Sequence, residues 1–364
     1  MLSYLTNKIF IASQWLDELL NFSLTHKISD LHIEPLDNHY RIRLRLDGLL
    51  QEALTLSKEQ ALPIISRIKI LSHMDIAEQR LPQDGRLQYE KFSHADFRIS
   101  TCPTVLGEKC VIRNLMTMLT PLAIDELGML AFQKALFTTA IQKPQGLILV
   151  TGPTGSGKTV TLYSALQSIN QAQKNIISIE DPVEIKLAGI NQINIQPKIG
   201  LTFASTLRTT LRQDPDVIMV GEMRDKETAE IAIAAAQTGH LVLSTLHTNS
   251  AVDSFTRLQQ MGIENYQIAS ACRLIIAQRL VRKRCKTCQD SCPACHEGYR
   301  GRTAIYEMIE VDQIIQRLIL QAQSSDLISS HLKNQAWISM QDHAAQMIAT
   351  GITTTAEAKR VLGN

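Results

Sequence analysis

The sequence predicts an α/β protein: a central sheet flanked by helices, preceded by a smaller α+β domain. Three observations carry this. The chain has 364 residues, more than one core usually fills, so two domains are expected. From Gly146 onward, short continuous apolar runs alternate with helical segments, the pattern of a sheet covered on both faces. Before that point the apolar residues instead switch between helical spacing and strict alternation, as in a half-exposed sheet with helices on one side. A composition of 45% hydrophobic and 20% charged residues belongs to a folded globular chain.

The elements follow in order. The opening run MLSYLTNKIFIASQWLDELL is interrupted by Thr6, Asn7 and Lys8 and has no small-residue cleavage site, so no signal peptide is read. No stretch reaches the roughly 20 apolar residues of a bilayer span, and a soluble, cytosolic chain is expected. Its 37 basic and 35 acidic residues leave a net charge of +2, no global reason to expect nucleic acid or an anionic membrane. Leu16, Leu19, Leu20 and Leu24 place a helix over 14–27. YRIRLRL then alternates to the Asp47-Gly48 hairpin signal, with Ile42, Leu44 and Leu46 on the buried face. A helix over 59–73 carries Leu62, Ile65, Ile68 and Leu71, and strands are expected around 86–90, 95–100 and 109–113. Cys102, Cys110 and Cys272 stand in apolar surroundings and read as small buried hydrophobes. No internal repeat stands out. Pro121, in a stretch without strand pattern, marks the join. The expected division is 1–118, a linker over 119–127, and 128–364 with a cysteine-rich insert over 281–302.

In the second part, apolar runs at 147–150, 176–179, 217–220 and 241–243 read as sheet strands whose order the sequence does not reveal. The first runs into Gly152, Pro153, Thr154, Gly155, Ser156, Gly157, Lys158 and Thr159, and a helix opens there. This is GxxxxGK[ST] in its required strand–loop–helix setting. The glycines let backbone N–H groups turn onto phosphates, Lys158 neutralises the β- and γ-oxygens, and the Thr159 hydroxyl reaches Mg²⁺. The helix dipole adds to the field.

Hydrolysis needs a carboxylate at the metal and a group that directs water. Glu180 and Asp181 follow the second run and Glu222 the third, although a glycine precedes Glu222 where the usual pattern has the acid directly after the strand. His240 and His247 bracket the fourth run. A strand-end histidine can donate to a γ-phosphate, or simply hold structure.

In this order GPTGSGKT, EDPVE, GLTFASTLRTTLRQDPDVIMVGEMRD and AAQTGHLVLSTLHTN resemble the secretion ATPases of type II secretion and type IV pilus assembly. The resemblance runs from SDLHIEP through RLDG and AEQRLPQDGR to GYRGRTAIYEM, nearly the whole chain. It implies a RecA-like P-loop ATPase domain after a PAS-like α+β domain, with ATP and Mg²⁺ as nucleotide and cofactor. By it, Lys158 and Thr159 are the Walker A pair, Glu180 the catalytic glutamate, Glu222 the atypical Walker B acid and His247 the histidine-box residue. Arg98 and Arg113 match arginines of the first domain that reach the phosphates on domain closure; Arg208 and Arg212 match less well. A guanidinium is always ionised, so moving it in or out switches chemistry on or off. The resemblance further implies a homo-hexamer acting on pilin-like subunits through an inner-membrane platform protein, recruited to the cytoplasmic face by its partners. The chain starts almost directly at SDLHIEP, so a short form without an extra N-terminal docking domain is expected, as in competence and some pilus systems. Pilus retraction is the close alternative. Relatives of that kind generally lack a tetracysteine insert.

Assembly ATPases of this family bind zinc with two CxxC pairs that flank a longer insert. Here Cys285, Cys288, Cys292 and Cys295 are joined by only Gln289, Asp290 and Ser291. Thiolate zinc needs four sulfurs about 2.3 Å from one ion, and three residues span about 10 Å, so a tight reversal is required. A structural zinc is expected, with His296 as substitute ligand, and a disulfide is disfavoured in a reducing compartment. The neighbouring QRLVRKRCK, with Arg279, Arg282, Lys283, Arg284 and Lys286, raises a DNA-handling ATPase as rival. No aromatic platform accompanies those charges, so a solvated or subunit-facing run, without direct nucleic-acid contact, is expected.

Overall fold

Leucines at helical spacing make α1 (Ala12–Thr25) amphipathic, and Leu16, Leu19 and Leu20 are fully buried. In the computed structural model, which describes residues 10–89, 95–115, 122–288, 292, 295–323, 325–334 and 337–363, α1 belongs to the first of two units, Met1–Thr120 and Pro121–Asn364. The opening run over 1–9 and the join over 116–121 lie outside the described residues.

The first unit continues with β1 (Asp30–Pro35), β2 (His39–Leu46), β3 (Leu49–Ser57), α2 (Lys58–Leu71), β4 (Gln83–Tyr89), β5 (Ala95–Thr104) and β6 (Gly107–Asn114). The strands form one antiparallel sheet in the order β3-β2-β1-β6-β5-β4. Asp47 and Gly48 both take positive φ, the conformation a two-residue hairpin needs. Ile42 and Leu44 enter the core as expected, whereas Leu46, next to the turn, is only half-buried. A capping box between Ser57 and Gln60 starts α2. Its buried face is Ala61, Ile64, Ile65 and Ile68, a helical stripe that leaves Leu62 48% exposed, contrary to expectation. Cys110 is buried, but Cys102 projects from the polar face of β5 and is exposed.

The second unit holds α3 (Ala131–Ile141), β7 (Gly146–Thr151), α4 (Lys158–Ile169), β8 (Ile176–Glu180), β9 (Asn191–Asn194), α5 (Phe203–Thr210), β10 (Val217–Val220) and α6 (Lys226–Gln237). There follow β11 (Leu241–Leu246), α7 (Asp253–Gln260), α8 (Asn265–Ala271), β12 (Cys272–Arg284), β13 (Tyr299–Glu310), α9 (Gln313–Leu320), α10 (Ser325–Lys333), α11 (Met340–Ala349) and α12 (Thr355–Leu362). Residues 122–127, the end of the expected linker, pack here: Leu127 is buried and its carbonyl accepts from the Tyr306 hydroxyl at 3.0 Å.

The seven strands lie in the order β13-β12-β7-β11-β10-β8-β9, all parallel except the β12–β13 pair. Along β7, Leu147 and Leu149 join one apolar cluster while Ile148 and Val150 join the other, so helices cover both faces. Each of these four side chains is fully buried, a contribution of about 1.5–3 kcal/mol apiece. A charged residue at Leu149 would break the centre of the sheet. Parallel strands direct their carboxyl ends to one edge, where loops after β7, β8, β10 and β11 meet. No helix among the described residues is long and apolar enough to cross a membrane.

Candidate functional site

The loop after β7 takes its shape from its glycines. Gly152 has φ +146°, and a Cβ there would sit 2.5 Å from the Gln278 carbonyl oxygen, so only glycine lets the chain pass β12. Ser156, Gly157 and Lys158 lead into α4, with Thr159 half-buried in its first turn and Pro153, Thr154 and Gly155 exposed. Gln278 braces the loop from below. Its Oε1 accepts from the Thr161 hydroxyl at 2.7 Å, and its Nε2 lies 2.8 Å from where a Gly157 Cβ would stand.

Lys158 is buried, and its Nζ donates to the carbonyls of Gly152 at 2.8 Å and Pro153 at 3.0 Å. Burial, with Glu222 opposing and Arg279 adding to it, pulls its pKa down to about 8. The unpartnered, buried Ser156 hydroxyl points to a site that a polar ligand completes.

Glu222 leaves β10 through Gly221, whose missing side chain explains the departure noted in the sequence: a Cβ would approach the Ile179 carbonyl to 3.2 Å. The Glu222 carboxylate meets Arg224 at 2.6 Å and His247 Nε2 at 3.7 Å. Burial and the charge of Lys158 lower the His247 pKa, with Glu222 acting against them. His240 is elsewhere; its Nδ1 lies 3.1 Å from the Ala235 carbonyl oxygen, the structural role. Thr151 ties β7 to the loop bearing His247, accepting from Thr248 N–H at 2.9 Å.

Glu180, at the end of β8, is 3% exposed. Its carboxylate accepts from the Tyr163 hydroxyl, from the Ser178 hydroxyl at 2.5 Å and from Gln192 Nε2 at 3.1 Å. These three partners were missed in the sequence, though two carried a signal: Ser178 shares its strand face, and Tyr163 is five residues beyond Lys158. Thr159 and Glu222 carry oxygen donors of the kind Mg²⁺ takes.

On the polar face of the first unit's sheet, Arg86, Arg98 and Arg113 lie in register across β4, β5 and β6, and the row continues through Asp30 to Arg45. Arg113 Nε donates to the buried Asp30 carboxylate at 2.9 Å. Arg86 pairs with Asp96, whereas Arg98 is exposed and makes no ion pair among the described residues. Like charges opposite one another repel, so the row favours an anion above Arg98. Arg208 lies in the last turn of α5 and pairs with Glu227 at 2.7 Å, and Arg212, two residues past the helix, donates from Nη1 to the Arg208 carbonyl at 2.9 Å.

The four thiols of Cys285, Cys288, Cys292 and Cys295 lie within 4.8 Å of one another, with Sγ pairs at 3.8 Å (285–292) and 3.3 Å (288–295). A tetrahedron with 2.3 Å bonds has edges of about 3.8 Å, so the set fits zinc. Residues 289–291 of the joint lie outside the described residues. His296 is not part of the group. Hydrogen bonding from Thr287 lowers the Cys285 thiol toward about 6, while hydrogen bonding with Cys295 raises that of Cys288. Below it, Glu357 accepts from Arg282 and Arg360 and fixes α12 to β12. In the basic run, expected to be solvated or subunit-facing, Lys283, Arg284 and Lys286 are exposed, whereas Arg279 is 9% and Arg282 8% exposed and both point into the unit.

The profile of the family described as "Type II/IV secretion system protein" matches residues 7–360. The chain is 47% identical over 375 residues to "Protein transport protein HofB homolog" of Escherichia coli (strain K12), covering 96% of this chain and 81% of that one. To "Type IV pilus assembly ATPase PilB" of Acinetobacter baylyi it is 43% identical over 380 residues, covering 96% and 66%. Among solved structures, that of the "Pilus Retraction Motor PilT and Bound ADP" superposes with a TM-score of 0.67 at 28% identity, covering 97% of each chain.

Proposed function

The chain belongs to the family of type II/IV secretion system proteins, and from that premise we propose that it is a hexameric ATP-hydrolysing motor that drives assembly of pilin-like subunits. The observation that carries this is the buried Lys158, folded onto the glycine loop and under the influence of Glu222 and His247. Backbone N–H groups of Gly155, Gly157 and their neighbours, with Lys158, hold the β- and γ-phosphates. Mg²⁺, held by Thr159 and Glu222, would offset the charge on those phosphates when bound. His247 donates toward the γ-phosphate, and Glu180 orients or deprotonates the attacking water.

Arg98 and Arg113 supply the mobile charge. Asp30 holds Arg113 in place, while Arg98, with no ion pair among the described residues, would meet the γ-phosphoryl oxygens as the first domain closes on nucleotide. Six copies closing in turn would pass this motion to an inner-membrane platform protein at the cytoplasmic face, where partners recruit the ring. The cysteine cluster serves as a structural zinc clamp, apart from the chemistry. Identity of 43–47% to relatives named for assembly or transport, against 28% to a retraction motor, favours assembly over retraction.

Steady-state ATPase assays with direct nucleotide titration test this. Replacing Lys158 with Ala should abolish both binding and turnover. The double change Arg98→Ala, Arg113→Ala should leave ADP affinity within about threefold and remove at least about 10³-fold of turnover. Turnover surviving the double change rules out the arginines; turnover surviving Lys158→Ala rules out the whole site.

A further inference from the structure

Arg279 reads in sequence as part of the basic run beside the cysteines, yet it lies under the glycine loop. Strand β12 pairs with β7 up to Ala277 and Thr151, so the next two residues of β12 pass beneath the loop that leaves β7. The Arg279 guanidinium is buried there. Its Nη1 donates to the Gln278 carbonyl at 3.0 Å and its Nη2 to the Asn249 carbonyl at 2.8 Å. Nη1 is also only 3.0 Å from the place a Cβ of Gly152 would take.

Charge makes this placement informative. Among the described residues Arg279 has no ion-pair partner. Glu307 acts on it from a distance, but the Glu307 oxygens are already taken by the N–H groups of Ala251 at 2.8 Å and Met340 at 3.3 Å. A buried cation with carbonyl partners alone is costly. Lys158, a second buried cation, bonds the carbonyl of the same Gly152. Two positive groups thus bracket one glycine, an arrangement stabilised by an arriving anion.

We propose that Arg279 is a positioning residue of the phosphate site: it ties the Asn249 segment, two residues beyond His247, to β12 while packing against the Gly152 turn, and adds a permanent positive charge beneath the nucleotide phosphates. The inference rests on the nucleotide-binding reading above. The guanidinium suits the task because its fork reaches two carbonyls at once and never loses its charge. The charged groups acting on Lys158 are Glu222 and Arg279, and Lys158 in turn acts on His247.

The test compares the full chain with Arg279→Gln and Arg279→Lys, titrating a fluorescent ADP analogue at neutral pH, with thermal unfolding and ATPase rate measured alongside. In Arg279→Gln, affinity should fall about tenfold. Arg279→Lys should keep affinity within about threefold while turnover drops about tenfold, since one ammonium replaces a two-pronged fork. The proposal is overturned if Arg279→Gln binds like wild type, or if its affinity falls only in step with its melting temperature and Arg279→Lys does not restore it. Should Arg279→Gln not fold, wild-type turnover in Arg279→Lys overturns it. Failure of the wild-type chain to bind ADP overturns the nucleotide reading itself; binding that Lys158→Ala abolishes keeps that reading and leaves the Arg279 variants to decide this one.

Discussion

Replacing Glu180 with Gln separates two roles that its geometry allows. The wild-type carboxylate offers one oxygen to Tyr163 and the other to Ser178 and Gln192. A glutamine can keep its single oxygen toward Ser178 and Gln192, but its amide then faces the Tyr163 hydroxyl, which must turn to accept. The Tyr163 bond must reverse and the other two lose the charge that assists them, a cost of about 2 kcal/mol, or roughly 4–8 °C in melting temperature for a unit of this size. If Glu180 also takes the proton of the attacking water, turnover falls by about 10²–10⁴-fold, while ADP affinity stays within about threefold. Thermal unfolding, nucleotide titration and steady-state ATPase rates on one preparation read all three quantities. A folded Glu180→Gln protein keeping more than about a tenth of wild-type turnover would falsify the base assignment; Glu180 would then be a buried anchor of the EDPVE loop, and Glu222 would be left as the acid nearest Lys158.

Two other outcomes follow from the cysteine end. Protein purified without chelator or metal-binding tag should carry about one zinc per chain, and Cys285→Ser should release it; less than half an equivalent in the wild type counts against the site. Glu357→Ala leaves Arg282 buried beside an empty place and should cost about 3–5 kcal/mol in denaturant unfolding, a loss absent if the clamp is incidental. Burial raises the Glu357 carboxyl, but hydrogen bonds from Arg360 and Arg282 win and hold it at about 2. Its contribution is therefore complete above the ordinary carboxylate range near 4.5 and disappears as pH falls through about 2, which an acid titration of stability in wild type and variant would trace.

Much of this was legible from local pattern. The glycine loop, the four apolar strands and the Asp47-Gly48 hairpin each depend on residues within a few positions of one another, so sequence spacing alone exposes them. Strands β1, β9, β12 and β13 were not read. In β12 the arginines hide the strand: a charge normally marks solvent, and nothing local shows that Arg279 finds carbonyls and Arg282 finds Glu357, 75 residues on. Strand order escaped for the same reason, because β12 lies beside β7 through contacts more than a hundred residues apart. Glu180 illustrates the limit within the site. Its position at a strand end was evident, but its burial depends on a hydroxyl from α4 and an amide from β9.

One strand joins the two ends of the second unit's chemistry. From Arg279, β12 runs on to Arg284, next to Cys285, about 17 Å of extended chain, with its register against β13 shifted between Arg282 and Arg284. A paired strand is stiff along its length, and such an irregularity is where it yields. The irregularity lies on the cysteine side of Arg282, which Glu357 bolts to α12. Disturbance among the thiols is therefore expected to be taken up at this irregularity and at the Arg282–Glu357 pair before it reaches the nucleotide loop.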